Sequence, residues 1–121
     1  MTLRWAARIV LVVAVVVITD LALQPAPDLP GSLLGSDKIE HAAAFLALTI
    51  VSRLACPRLA GWLVALLLLA YGFSIEAAQD LLNIGRVASL ADLAADAVGI
   101  LGGFAVIRVF NGLRRWDHTA S

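Results

Sequence analysis

A chain of 121 residues, 61% of them hydrophobic and only 15% charged, is far more apolar than a soluble domain, where about 45–50% apolar and about 25% charged residues are usual. Its basic residues are dispersed, with no patch or stripe that would hold nucleic acid. The formal net charge of zero conceals an asymmetry along the chain, and the single cysteine, Cys56, excludes an internal disulfide and reads as inert.

Arg4 and Arg8 precede an apolar run from Ile9 to Ile18, which continues to Leu23 with Thr19 and Asp20 interrupting. A basic start before an apolar core also describes a signal peptide. Trp5 to Leu23 gives about 28 Å of helix, however, a full bilayer crossing. No clean A-x-A site precedes Gln24, so a retained first span is expected. Gln24 to Ser36 contains Pro25, Pro27, Pro30, Gly31 and Gly35, and reads as a water-exposed loop.

Ser36 or Asp37 can cap the next helix, with Glu40 placed as the capping-box acid. This second span ends at Pro57, and Arg58 and Gly61 turn the chain into the third. Asn83-Ile84-Gly85-Arg86 closes the third span, and Ser89 starts the fourth. The expectation is an all-α integral membrane bundle of four transmembrane helices in one domain, residues 1–121. The spans fall at about 5–23, 39–55, 62–82 and 90–110. Arg4, Arg8, Arg53, Arg58, Arg108, Arg114 and Arg115 fall on one side, against Lys38 and Arg86 on the other. By the positive-inside rule both termini are cytoplasmic and the chain is a multi-pass protein of the inner membrane. Trp5, Trp62 and Trp116 read as anchors at the inner interface.

The organising stretch is Tyr71 to Gly103. A charged residue at the centre of a span costs roughly 2.5–3.5 kcal/mol on insertion scales, so buried acids normally find partners or water. At 1.5 Å per residue, Glu76 and Asp96 lie about 10 Å below the outer helix ends, and His41, Gln79 and Asp92 about 5–6 Å. Gly72, Glu76, Gln79 and Asn83 share one helical face, and Asp92, Asp96, Gly99 and Gly103 share another, the last two forming a G-x-x-x-G step. Asp37 and His41 lie above Phe45 and Leu48 on the second helix. An outward-opening polar pocket lined by Asp37, Lys38, His41, Glu76, Gln79, Arg86, Asp92 and Asp96 is therefore expected.

Three strings carry a family likeness: Asp37-Lys38-x-x-His41-x-x-x-Phe45, Gly72-x-x-x-Glu76-x-x-Gln79, and Gly85-Arg86-x-x-Ser89-x-x-Asp92-x-x-x-Asp96-x-x-Gly99-x-x-x-Gly103. Together, over residues 37 to 103, they resemble the VanZ-like family. The resemblance implies a small polytopic protein of the bacterial envelope, in a family with members linked to teicoplanin resistance. That family usually carries Asn where this chain has Asp96, a departure that adds a negative charge.

Each polar residue also has a plainer role. Asp92 can close a capping box with Ser89, Asp37 and Glu40 can cap the second helix, and Lys38 can snorkel to headgroups. Glu76 and Asp96 cap nothing, and their plainer role is a structural hydrogen-bond network. Three function classes follow. The first is a pocket for an envelope ligand, a lipid phosphate or peptidoglycan precursor, with Lys38, His41 and Arg86 as phosphate donors. The surplus of acids favours a ligand with both signs, or a bridging divalent cation. The second is a structural or interaction subunit using the glycine seam. The third is a metal-assisted membrane hydrolase or transferase, where carboxylates plus one His suit Mg²⁺ or Mn²⁺. No H-E-x-x-H, G-x-S-x-G or Cys/His cluster is present, and no cofactor is otherwise implied.

Overall fold

The computed structural model describes residues 2–24, 37–83 and 90–120, the side chains of Asp37 and of 117–120 excepted. Four helices occupy this span: α1 (Leu3–Ala22), α2 (Asp37–Ala55), α3 (Gly61–Leu82) and α4 (Leu90–Ala120). The fold is all-helical among the described residues. The proline-rich loop, Arg86 and the Ser89 cap lie outside them.

Local chemistry sets the helix ends. The Thr2 hydroxyl accepts from the Trp5 N–H at 3.3 Å and caps α1, an interaction worth about 1 kcal/mol. Pro57 cannot extend α2, and Arg8 Nε donates to the Ala55 carbonyl at 3.0 Å, satisfying one of its open acceptors. Asn83 ends α3 in the left-handed region at φ 51°, where its short polar side chain is tolerated better than most. One boundary differs from expectation. Asn111 and Gly112 do not break α4, which continues past residue 110 to Ala120 as a largely exposed extension carrying Arg114, Arg115 and Trp116.

The helices alternate in direction. Arg8 at the start of α1 meets Ala55 at the end of α2, and Gln79 near the end of α3 reaches Ala22 at the end of α1. α2 and α4 run parallel, with Gly99 against Ala42 and Gly103 against Thr49 and Leu46. The starts of α1 and α3 and the body of α4 beyond Phe104 therefore lie at one end, and the polar residues at the other.

Three helical segments, Leu3–Ala22, Gly61–Leu82 and Leu90–Trp116, are long and apolar enough to cross a membrane. The protein is a membrane protein. Four apolar spans were expected from the sequence, but α2 is not among these three, because its 19 residues include Asp37, Lys38, Glu40 and Arg53. It nevertheless makes the most extensive packing in the bundle, against α4 and then α1. Its charges sit near its two ends, with Lys38 exposed and Glu40 and Arg53 half-buried, while Phe45, Leu48 and Thr49 between them are buried.

The distribution of polarity is inverted relative to a soluble bundle. Val12, Val16, Leu67, Phe73, Leu101 and Val109 face outward, while Thr49, Ser52, Glu76, Gln79, Asp92 and Asp96 are buried. Phe45, Leu48, Val64, Leu68 and Ile100 form the apolar part of the interior. Lipid tails are as apolar as Leu, so helix association in a bilayer relies on close packing and internal hydrogen bonds. The glycines supply that packing. A Cβ on Gly99 would lie 2.2 Å from the Ala42 carbonyl oxygen, and one on Gly103 would lie 2.6 Å from Thr49 Cβ.

Candidate functional site

Parallel packing of α2 on α4 brings two side chains one turn apart on α2 against two that are one turn apart on α4. Lys38 Nζ donates to Asp92 Oδ1. One turn deeper, His41 Nδ1 lies 2.9 Å from Asp96 Oδ1. Below these rungs the glycine contacts begin, so the backbone approach at Gly99 holds the polar pairs in register.

Glu76 enters from α3, which runs the opposite way. His41, Glu76 and Asp92 each offer a nitrogen or carboxylate oxygen, and these three atoms lie within 4.8 Å of one another. The carboxylates are deeply enclosed, with Asp96 1%, Glu76 4% and Asp92 6% exposed. The His41 side chain is 20% exposed and that of Lys38 47%. The cluster thus grades from a dry floor at Asp96 to a wet rim at Lys38.

Gly72 has a specific task here. A Cβ at that position would lie 2.6 Å from Asp96 Oδ2 and 3.2 Å from Phe45 Cζ. The missing side chain leaves room for the carboxylate, and Phe45 closes the site from below. Glycine at 72 and acid at 76, one turn apart, are therefore two parts of one arrangement.

The eight residues expected to share a pocket divide accordingly. Lys38, His41, Glu76, Asp92 and Asp96 come together. Gln79 is buried but turned elsewhere, its Nε2 donating to the Ala22 carbonyl at 2.8 Å. It ties α3 to the end of α1, because three residues past Glu76 the helix has rotated about 300° and faces a different neighbour. The Asp37 side chain and Arg86 lie outside the description.

A second polar contact was missed in the sequence. The Tyr71 hydroxyl lies 2.6 Å from Thr19 Oγ1 and donates to the Val15 carbonyl at 3.2 Å. Tyr71 has one hydroxyl hydrogen, so Thr19 is the donor in the shared bond. The available signal was Thr19 itself, a hydroxyl within an apolar span that needs a partner.

Fold and site together define a helical membrane protein with a half-buried imidazole set among buried carboxylates near one end of its bundle. Compared with known protein families, curated proteins and solved structures, the chain matches none.

Proposed function

We propose that this chain is an inner-membrane protein of the bacterial envelope that crosses the bilayer four times, with both termini cytoplasmic. Its imidazole–carboxylate centre, at the outer end, binds the headgroup of an envelope lipid or lipid-linked precursor. The orientation is supported by Arg4, Arg8, Arg53, Arg58 and Arg108 at the end opposite the centre, which the positive-inside rule assigns to the cytoplasm. α2 is the fourth crossing, sheltered by the three apolar helices. The strings at residues 37–45, 72–79 and 85–103 resemble the VanZ-like family and support an envelope role, with glycopeptide susceptibility as the associated phenotype.

The observation that carries the reading is the convergence of His41, Glu76 and Asp92 from three helices. Counted as ionised, Glu76, Asp92 and Asp96 supply three negative charges against one from Lys38, leaving an excess of two. Such a centre attracts a positive group, while Lys38 at the rim is placed for a phosphate. A headgroup with both signs fits. The glycine seam is occupied by α2 within the chain, so it offers no free face for the interaction-subunit alternative.

The test uses full-length protein in detergent and phosphatidylethanolamine as the probe, read by native mass spectrometry. Wild type is expected to retain the lipid, and Glu76→Gln and His41→Gln to lose it while remaining helical and monodisperse. Equal retention by all three would refute a headgroup site at this centre.

A further inference from the structure

We propose that the positive partner of this centre is a divalent metal ion of the Mg²⁺/Mn²⁺ class, coordinated by His41, Glu76 and Asp92 and open on its outer side to a phosphate oxygen. This rests on the ligand-binding reading above and supplies its missing chemistry. A site with three carboxylates repels a lipid phosphate. A bound dication offsets that excess and is itself the positive group the phosphate binds.

Geometry and donor type both fit. The three candidate ligand atoms come from three helices and lie within 4.8 Å of one another. Metal–ligand bonds of about 2.0–2.2 Å place ligands about 3 Å apart at right angles and about 4.0–4.4 Å apart when opposed, so side chains within 4.8 Å of one another reach a common ion by closing about 1–2 Å or less. Two carboxylates and one imidazole form a mostly hard donor set, suited to Mn²⁺ or Mg²⁺ more than to a thiolate-rich structural zinc site. Three protein ligands leave coordination positions open, as in sites that engage substrate rather than purely structural ones.

Asp96 is a positioning residue in this arrangement. Its Oδ1 lies 2.9 Å from His41 Nδ1; in the tautomer protonated at Nδ1 the carboxylate accepts that hydrogen, which orients the ring and leaves the lone pair on Nε2 for the metal. Its own place depends on Gly72, where a Cβ would come within 2.6 Å of Oδ2. The bundle thus reserves space, on a different helix, for the group that orients the histidine. Counted as ionised, with His41 neutral, Lys38, Glu76, Asp92 and Asp96 leave an excess of two negative charges, which one dication would offset. The half-exposed Lys38 holds Asp92 from the rim and competes with a metal for that carboxylate.

The experiment titrates chelator-stripped, full-length protein with Mn²⁺ alone, reading loss of the free-ion signal by electron paramagnetic resonance. One ion per chain is expected. Asp96→Asn should weaken binding about 10–100-fold, as is usual when a group behind a ligand is altered. His41→Gln should abolish the ¹⁴N modulation that pulsed spectra of the bound ion would carry. Lys38→Met should tighten binding, the opposite of what a site needing that ammonium would show. Folded wild type that takes up no Mn²⁺ at about 1 mM, a concentration that reveals even millimolar binding, overturns the inference. So does binding that His41→Gln and Glu76→Gln leave unchanged. Glu76-dependent retention of phosphatidylethanolamine without Mn²⁺ binding removes the metal and keeps the headgroup site. Mn²⁺ binding without lipid retention does the reverse.

Discussion

Replacing Gly99 with alanine tests whether the α2–α4 approach is what holds the polar centre together. The added Cβ would start 2.2 Å from the Ala42 carbonyl oxygen, with the Ala42 carbonyl carbon at 2.9 Å. Carbon–oxygen contacts settle at about 3.3–3.6 Å, so the two backbones must part locally by roughly 1 Å. Both obstructing atoms are backbone, and no side-chain rotation relieves them. A separation of that size would stretch the His41–Asp96 contact from 2.9 Å to beyond hydrogen-bonding range, since both pairs bridge the same two helices. Overpacking of this kind costs about 1–3 kcal/mol, to which loss of the imidazole–carboxylate bond adds. Gly112 is the internal control, because a Cβ there meets nothing within 4 Å. Gly112→Ala should be neutral or stabilising by roughly 0.5–1 kcal/mol through helix propensity. Thermal unfolding in detergent, followed by helical circular dichroism, compares the two variants with wild type. A Gly99→Ala protein as stable as Gly112→Ala would refute the close-packing account.

Two further outcomes are expected. Tyr71→Phe removes both the Thr19 and Val15 contacts and should destabilise by about 1 kcal/mol, given roughly 0.6 kcal/mol per interhelical hydrogen bond in membranes; a double-mutant cycle with Thr19→Val should show coupling, and strictly additive effects would mean the shared bond contributes nothing. A reporter fused after Ser121 should be active only in the cytoplasm, and activity from the external side would reverse the orientation assigned to the centre.

Much of the architecture could be read directly from residue order. Apolar runs of spanning length, broken at Pro57 and Asn83, located the helices to within a few residues at most ends. Counting turns put His41, Glu76, Asp92 and Asp96 within two or three turns of the same end of the bundle, because helical rise is nearly constant. Periodicity also put Gly99 and Gly103 on the acidic face of α4, and both are used there.

Which neighbour each face meets was not available from periodicity. Gln79 belongs to the same broad stripe as Glu76, yet it serves the Ala22 carbonyl, since small rotations along α3 exchange α4 for α1 as the facing helix. The importance of α2 was hidden for a related reason: its charges make it the least membrane-like helix, but Lys38, Glu40 and Arg53 lie near its two ends, and the stretch between them carries the buried residues Phe45, Leu48 and Thr49. The purpose of Gly72 depended entirely on a residue on another helix, Asp96, 24 positions further along the chain. Composition and helical pitch depend on short stretches of chain and so are written in its order. The pairing of Lys38 with Asp92, His41 with Asp96 and Tyr71 with Thr19 depends on how close whole helices come, which arises only when they pack.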